Sequence, residues 1–247
     1  MPSALIVGLG LIGGSAGMAL RRRGWRVAYV DPHVPLDGAR GRGAADERVE
    51  HVGNTDVIVI ATPVDVAVNL LRTLETQSVV TSTCSVMRAL RDAARGTFVA
   101  GHPMAGSHES GLAAAQPELF EGKPWFVDAE HELVDALVRD CGAVLERVSA
   151  DEHDAAVALS SHLPQVLSTA LAAYLDEHPE VLRFAGTGLR AFLRLAGSDA
   201  SVWTSVLDAN RDQLAPHAEA VAQLARAIVD GNVPDAFERA QRFWRKL

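Results

Sequence analysis

The sequence predicts an α/β domain built on a doubly wound parallel sheet, followed by an all-α domain. Up to about residue 150, short apolar runs alternate with amphipathic stretches. Some of these runs, such as VIVIA, are apolar throughout, which is typical of parallel strands covered on both faces. After Ser149 the strand pattern stops, and apolar positions recur three and four residues apart. We therefore expect two domains, at residues 1–150 and 151–247.

The elements follow from the same periodicity. Strands are predicted at 4–8, 26–30, 57–61, 78–82, 97–100, 125–128 and 143–147. The second domain is expected to hold about four helices, with breaks near 178–179, 196–198 and 231–234. The apolar stripe predicted for its first long helix consists of Leu159, Leu163, Val166, Ala170 and Tyr174.

Composition excludes several classes of protein. The chain has 247 residues, a formal net charge of −8, 48% hydrophobic residues and two cysteines. This much apolar material excludes disorder, and two cysteines are too few for a disulfide scaffold. The negative charge argues against nucleic-acid binding, and no run approaches the ~20 apolar residues of a membrane span. Since the start lacks a basic signal-peptide region and the histidines lack metal-ligand spacing, we expect a cytoplasmic protein without a metal site.

A glycine-rich turn follows the first predicted strand and opens a helix: Gly8-Leu9-Gly10-Leu11-Ile12-Gly13. Gly8 allows a tight turn, Gly10 lets the backbone approach a pyrophosphate, and Gly13 lets the helix pack closely on the sheet. The helix N-terminus would then offer free N–H groups and its positive dipole end to the phosphates. The motif predicts a dinucleotide site, and a purely structural glycine turn is the alternative.

Three further residues are expected at the cofactor. Asp31 ends the second predicted strand, where a carboxylate can accept hydrogen bonds from the adenosine ribose. Because it would also repel a 2′-phosphate, NAD is favoured over NADP. Thr62 and Pro63 end another strand that should border the nicotinamide, although a simple strand-ending proline turn explains them nearly as well.

His102 is the candidate catalytic residue. It follows a predicted strand, and ligands of open α/β sheets bind at the carboxyl ends of the strands. Pro103 and the neighbouring glycines would hold its loop in a fixed shape. A structural loop histidine remains an equally good interpretation from these residues alone.

Five motifs occur in order along nearly the whole chain: GLGLIGGS at the start, STCSV at 82–86, GHPMAGSHESG at 101–111, SSHLPQ at 160–165 and AGSDASVWTSVLDAN at 196–210. Together they resemble the prephenate/arogenate dehydrogenase family. The resemblance implies a Rossmann-type domain followed by a helical substrate and dimerisation domain, and hence a homodimer. It also implies NAD-dependent oxidative decarboxylation of a cyclohexadienyl acid in tyrosine biosynthesis, from prephenate to 4-hydroxyphenylpyruvate or from arogenate to tyrosine.

The resemblance also implies roles for single residues. His102 corresponds to the catalytic histidine that bonds the ring hydroxyl and takes its proton. Ser85 corresponds to the serine that orients this histidine and touches substrate or nicotinamide, and His162 to a substrate-side histidine. Imidazole suits a base, since its ordinary pKa of ~6.5 leaves it mostly neutral near pH 7.

Helical spacing groups the polar residues of SSHLPQ. Ser161 and His162 share a face with Gln165, opposite the predicted apolar stripe, so all three are candidate substrate contacts. Pro164 lacks an N–H and should disturb the helix at this point. Such a kink can mark a site or merely fit two helices together.

The chain departs from the family where its substrate, a dianion, needs cations. Many members carry an arginine after the tryptophan of this region, whereas Thr204 follows Trp203 here. Gln165 replaces a histidine found in other members, and Met87 stands where lysine is common.

Three other arginines are possible anchors for the substrate: Arg190, Arg194 and Arg211. The lost cation also raises the hypothesis of a different substrate, either arogenate or a 4-amino analogue of prephenate used in specialised metabolism. The short chain leaves no room for a chorismate mutase segment, so a monofunctional enzyme is expected.

Two other functions would share the glycine turn. One is a β-hydroxyacid or imine reductase, but such enzymes generally use a lysine, aspartate or tyrosine in the helical half, and the only lysine there is Lys246. The other is a non-catalytic NAD-sensing module, in which His102 and Ser85 would be incidental.

Overall fold

The computed structural model describes residues 1–107, 109–231 and 233–246, so His108 of the loop motif, Asn232 and Leu247 lie outside the described residues. The main sheet consists of β1 (Ser3–Val7), β2 (Arg26–Val30), β3 (Glu47–Arg48), β4 (Val57–Ile60), β5 (Val79–Ser82) and β6 (Phe98–Val99). All its pairings are parallel, in the order β3-β2-β1-β4-β5-β6. This order is that of a Rossmann-type doubly wound sheet, which confirms the predicted fold class.

Helices cover both faces of this sheet. They are α1 (Leu11–Arg22), α2 (Leu36–Gly41), α3 (Val64–Thr73), α4 (Arg88–Ala93) and α5 (Glu132–Asp140). The side chains of β4 alternate between two buried clusters: Val57 and Val59 belong to one, Ile58 and Ile60 to the other. The run VIVIA is apolar throughout because each face of its strand meets a separate core.

Three further strands form a second, smaller sheet. It consists of β7 (Gly101–Pro103), β8 (Pro124–Val127) and β9 (Val144–Arg147). β7 runs antiparallel to β8, and β8 runs parallel to β9. The single strand predicted at 97–100 thus contributes only its middle residues to β6, and the chain enters the second sheet directly after Ala100.

The remainder is helical, as the sequence predicts. The helices are α6 (Ala150–Val157), α7 (Leu163–Asp176), α8 (Thr187–Phe192), α9 (Ala200–Ala209), α10 (Arg211–Val229) and α11 (Val233–Trp244). A π-helical turn, Ala158–His162, links α6 to α7, and two 3₁₀ turns, Pro179–Phe184 and Leu193–Gly197, flank α8. The expectation of about four helices was wrong because these tight turns divide the chain into six helices within the described residues.

The face that α7 buries is the polar one. Leu163 is buried, but Leu159 and Tyr174, at the two ends of the predicted apolar stripe, are 49% and 61% exposed. Gln165 and Ser168 are buried instead. Their side chains bond the backbone of the following segment, which explains how polar groups can face inward here.

Helix α6 begins at a well-formed cap. The Ser149 hydroxyl accepts a hydrogen bond from the backbone N–H of Glu152, whose carboxylate accepts one from the N–H of Ser149. This capping box fixes the start of the helix and so the direction in which its next turn projects. In the described part of the chain, none of the helices combines the length and apolar character that a membrane crossing requires.

Candidate active site

The glycine turn has the geometry that a dinucleotide site needs. Gly8 has φ +90°, and a Cβ there would lie 2.6 Å from the carbonyl oxygen of Ala61. A Cβ on Gly13 would lie 2.0 Å from the carbonyl oxygen of Gly8, so only glycine lets α1 pack this closely. A Cβ on Gly10 would meet nothing within 4 Å. The backbone at the start of α1 is therefore open to approach.

The first turn of α1 also offers donors. Gly10 is the N-cap residue and supplies no side-chain cap, so the amides of Leu11 and Ile12 lack a partner within the helix. This turn lies where the strand order reverses between β1 and β4, the place where ligands of doubly wound sheets bind.

Asp31 lies beside the glycine turn but already has partners. Its Oδ2 accepts from the backbone N–H of Leu9 at 2.8 Å, and its Oδ1 accepts from His33 N–H at 2.8 Å and Val34 N–H at 3.1 Å. The carboxylate thus fixes the turn as well as its own loop. A carboxylate oxygen can accept more than one hydrogen bond, so ribose binding by Asp31 remains a prediction.

A cleft of 660 Å³ runs from the glycine turn to the helical domain. Its size is that of a small-molecule site. The lining includes Gly10, Leu11, Ile12, Thr62, Pro63, Ser85, Ala105, Glu109, Asp199, Trp203 and Val206. The cleft therefore joins the predicted cofactor residues and Ser85 to residues of α9.

His102 lies in the middle of β7, three residues before Ala105 of the cleft wall. Its strand pairs with β8, where His102 is opposite Phe126. A Cβ on the preceding Gly101 would lie 2.7 Å from the Ser82 carbonyl oxygen, so glycine lets β7 pass close to the main sheet. The imidazole of His102 is half-buried.

The partner of His102 is a residue that the sequence did not single out. Its Nδ1 lies 2.9 Å from Nε2 of His153, and Nδ1 of His153 lies 2.8 Å from Oδ1 of Asp154. His153 is 2% exposed and Asp154 is fully buried. His153 of α6 thus contacts Nδ1 of His102, while Ser85 lies on the cleft wall, so the expected role of Ser85 in orienting His102 stays a prediction.

The surroundings keep His102 neutral. Burial lowers its pKa to about 3, with further lowering by His153 and His162 and a smaller opposing effect of Asp154. Burial alone would raise the pKa of Asp154, but hydrogen bonds from His153 and from the backbone N–H groups of Arg88 and Met87 lower it overall. Asp154 is therefore charged and His102 is a free base.

Asp154 also joins the two domains. Its carboxylate accepts hydrogen bonds from the N–H groups of Met87 at 2.8 Å and Arg88 at 3.0 Å, at the start of α4. The Arg88 guanidinium reaches across to Asp212 at 2.7 and 2.9 Å and to Asn210 at 3.3 Å. Met87, which stands where lysine is common in the family, thus donates its backbone N–H to Asp154.

His162 is fully buried at the end of the π-helical turn. Its Nδ1 lies 3.2 Å from the side-chain nitrogen of Asn210, which also donates to the Asp154 carbonyl oxygen at 2.8 Å. Among the residues that the structure describes, none forms a hydrogen bond with its Nε2. Burial is the main cause that lowers its pKa. The ring packs edge-on against Trp203, which lines the cleft, with 5.9 Å between centroids.

The candidate substrate residues of the helical domain, His162 and Ser161 included, do not line the cleft where the structure describes it. The Gln165 amide donates to Thr169 and to the Leu195 carbonyl oxygen, so it holds the chain together. Thr204 is exposed, donates its hydroxyl to the Ala200 carbonyl oxygen and borders a different depression beside α3. The exposed side chains Arg190 and Arg194 also lie outside the cleft lining.

The remaining residues predicted near the site are Ser161, Pro164 and Arg211. Ser161 is half-buried in the π-helical turn, where the disturbance expected at Pro164 takes the form of that turn. Arg211 is exposed and pairs with Asp208. Within the described residues, no three His, Cys, Asp or Glu side chains are grouped so as to hold a metal ion.

Comparison with known protein families identifies the family of both domains. Residues 16–151 match the profile of the prephenate dehydrogenase nucleotide-binding domain, and residues 149–241 match that of the prephenate dehydrogenase dimerization domain. The chain belongs to the prephenate dehydrogenase family. Both halves of this family architecture are thus present, and the two matches overlap at residues 149–151, where the capped helix α6 begins.

Individual members of the prephenate dehydrogenase family are similar to this chain in sequence. The prephenate dehydrogenase of Lactococcus lactis subsp. cremoris is 33% identical over 231 residues, covering 85% of this chain and 65% of the relative. The chain thus spans less than two thirds of that relative. A probable prephenate dehydrogenase, NovF of Streptomyces niveus, is 33% identical over 262 residues, covering 94% of this chain and 71% of the relative.

A solved structure supports the same fold. Prephenate dehydrogenase from A. aeolicus, in complex with hydroxyphenyl propionate and NAD⁺, has a TM-score of 0.82 and 27% identity. The match covers 100% of this chain and 96% of that one. The Rossmann-type sheet and the helical domain therefore both have counterparts in this member of the prephenate dehydrogenase family.

Proposed function

We propose that this chain is an NAD-dependent dehydrogenase that oxidatively decarboxylates a cyclohexadienyl acid in tyrosine biosynthesis. The substrate would be prephenate, giving 4-hydroxyphenylpyruvate, or arogenate, giving tyrosine. The observation that carries the proposal is the neutral His102, on the strand that leads into a cleft beginning at a dinucleotide-type glycine turn. Membership of the prephenate dehydrogenase family supports it.

The glycine turn fits NAD. The open space above Gly10 admits a pyrophosphate, and the free amides of Leu11 and Ile12 would bind it. The Asp31 carboxylate favours a ribose hydroxyl over a 2′-phosphate. Bound NAD would supply the hydride acceptor for the substrate carbinol carbon, and Thr62 and Pro63 would border the nicotinamide.

The protein supplies a base and a fixed geometry. His102 takes the proton of the ring hydroxyl as the hydroxyl becomes a carbonyl. The ring carboxylate leaves as CO₂, and aromatisation provides the driving force. Such a base contributes ~10²–10⁴-fold in rate. Ser85 on the cleft wall would contact the substrate or the nicotinamide. His162, which packs against Trp203 of the cleft wall, and Ser161 of the same turn would approach the substrate from the helical side.

The division of the chain follows from this assignment. We place the NAD-binding domain at 1–150 and the substrate and dimerisation domain at 151–247, and we propose a homodimer. We also propose a cytoplasmic enzyme with neither nucleic-acid nor membrane partners. The free thiols of Cys84 and Cys141 suit a reducing compartment, and the net charge of −8 disfavours nucleic acid.

The charge of the cleft favours a second substrate class. The lining that the structure describes contains Glu109 and Asp199 but neither lysine nor arginine. Such a lining attracts an ammonium group and does not neutralise a dianion. Arogenate and a 4-amino analogue of prephenate both carry an amine, so an amino-bearing cyclohexadienyl acid is our second candidate. Arg190 and Arg194 lie outside this lining, so prephenate would need a cation that the described lining does not supply.

Steady-state kinetics test both candidates. We expect the protein to reduce NAD faster than NADP with at least one of prephenate, arogenate and the 4-amino analogue. If the acidic lining selects an amine, Glu109→Gln should raise KM for the amino-bearing substrates and leave that for prephenate unchanged. Failure to reduce either cofactor with all three compounds would refute the proposed function, and a clear preference for prephenate would refute the second candidate.

A further inference from the structure

We propose that His153 and Asp154 are positioning residues that hold His102 as a base with its Nε2 lone pair free and stabilise the positive charge it acquires. The proposal rests on the function proposed above. It starts from three side chains in line, joined by contacts of 2.9 and 2.8 Å across the domain boundary.

Hydrogen-bond chemistry fixes the protons in this line. The Asp154 carboxylate can only accept, so Nδ1 of His153 carries a hydrogen and donates it. In a neutral His153 the other nitrogen, Nε2, is then an acceptor. Its contact therefore requires Nδ1 of His102 to donate. The remaining nitrogen of His102, Nε2, has the free lone pair that a general base needs.

Asp154 is held as a fixed anion. Two backbone N–H groups at the start of α4 donate to it, and the Arg88 guanidinium lies 3.4 Å away. The carboxylate is fully buried, so water does not screen it. Burying a charge costs free energy unless hydrogen bonds and ion pairs replace the lost hydration, and Asp154 has both kinds of partner.

A separate constraint orients His162. The side-chain nitrogen of Asn210 must donate, because it bonds the Asp154 carbonyl oxygen, while its oxygen accepts from Arg88. Nδ1 of His162 is therefore the acceptor, and its unpaired Nε2 carries the hydrogen. His102 can thus accept a proton at its Nε2, whereas His162 can donate a hydrogen bond from its Nε2.

The proton balance of the reaction explains what the line contributes. The substrate O–H bond breaks and its proton binds Nε2 of His102, which makes the ring an imidazolium. Its Nδ1–H remains hydrogen-bonded to His153, and the Asp154 carboxylate compensates the new charge through that ring. Without this anion, His153 and the buried surroundings would disfavour the imidazolium. The line therefore acts on kcat more than on substrate binding.

Two substitutions on α6, at Asp154 and at Asp151, test the role of the Asp154 negative charge. Asp154→Asn removes the carboxylate; Asp151→Asn, on the same helix, removes a largely exposed one that is 3.9 Å from Arg88. We expect Asp154→Asn to lower kcat at least ~10²-fold with KM and NAD affinity within ~3-fold, and Asp151→Asn to change none of them.

The pH profile separates this role from a structural one. The charged or titratable groups around His102 are His153, His162 and Asp154, and Asp154 alone raises its pKa. In Asp154→Asn the acid limb of kcat should therefore move to lower pH. Loss of packing alone would lower kcat without moving that limb, and an unmoved limb contradicts the proposal.

His153 provides a second test if Asp154→Asn fails to fold. A glutamine side chain can place an acceptor oxygen near the position of Nε2, whereas leucine cannot accept. We expect His153→Leu to lose kcat as Asp154→Asn does and His153→Gln to recover part of it. Equal losses in both variants, or normal turnover in His153→Leu, would overturn the proposal.

A measurement without substrate keeps this inference separate from the proposed function. Heteronuclear NMR of the imidazole nitrogens in the ligand-free protein should show the hydrogens of His102 and His153 on Nδ1. A hydrogen on Nε2 of His102 would overturn the inference even in an active enzyme. Inactivity of the wild type towards all three substrates would overturn the proposed function, while the NMR result would still decide the tautomers.

Discussion

The sheet domain and the helical domain differ in how they bury apolar side chains. All four residues of β4 are buried, and the two faces of the sheet belong to two continuous clusters. The segment from Pro179 to Gly197 has no buried residue and exposes Leu182, Phe184 and Phe192. The sheet domain completes its own core, whereas the helical domain leaves apolar surface that a partner would cover.

The same difference applies to the site. The sheet domain presents backbone: an open glycine turn and free amides at the start of α1. The helical domain sends buried polar side chains, His153, Asp154 and His162, towards the first domain. A cofactor can therefore be recognised by local geometry, but the base requires both domains to be in place.

The largest effects are expected in the glycine turn. Gly13→Ala forces a Cβ to within 2.0 Å of a backbone oxygen, so α1 must shift. We expect a loss of at least ~1–3 kcal/mol in stability and loss of NAD binding, measured by urea unfolding and calorimetry.

Gly10→Ala is the matched variant. Its Cβ meets no protein atom, so the fold should be retained while NAD binding weakens, because the methyl group occupies the approach to the helix N-terminus. Normal NAD affinity in Gly10→Ala would place the cofactor elsewhere.

The exposed face of the helical domain is expected to control assembly. Leu182 and Phe184 are each 72% exposed. Replacing both with serine should convert a dimer to a monomer in light-scattering measurements, with little change in the thermal stability of the monomer.

Val66→Ser is the control for this double variant, since Val66 is 47% exposed on α3 of the sheet domain. It should leave the dimer intact. Dimers that persist in the double variant would show that another face forms the interface.

A smaller effect concerns acid stability. Burial lowers the pKa of both His102 and His162 from the ordinary 6.5. Below about pH 6.5 the unfolded chain binds protons at these residues more readily than the folded chain does, so the free energy of unfolding falls with falling pH. The loss per group is at most ~1.4 kcal/mol per pH unit.

His102→Asn should make this loss shallower between about pH 6.5 and 5, as measured by urea unfolding. The exposed His51, changed to asparagine in the same way, should leave the slope unaltered. An unchanged slope in His102→Asn would contradict the lowered pKa of that ring.

Local patterns in the sequence predicted the sheet domain well. The glycine turn could be interpreted residue by residue because close backbone approach permits no other side chain at Gly8 and Gly13. Continuous apolar runs predicted strands for the same reason: each strand meets a core on both faces. These constraints act within a few residues and are visible in one sequence.

The helical domain was predicted less well because its constraints are long-range. His153 contacts a residue 51 positions earlier, and Asp154 contacts Met87 and Arg88, more than 60 positions earlier. Two polar residues in a helix carry no local sign of such partners. Periodicity grouped the polar residues of this segment, but the burial of Gln165 depends on its hydrogen bond to the backbone of Leu195, which periodicity cannot reveal.

The most direct test of the account is turnover by His102→Asn, with His51→Asn as the control. We measure NAD reduction and CO₂ release at saturating substrate, together with NAD affinity. The account predicts a kcat lower by ~10²–10⁴-fold in His102→Asn, with NAD affinity and the fold unchanged. Near-normal turnover in that variant would contradict the assignment of His102 as the base and favour a non-catalytic role for the site.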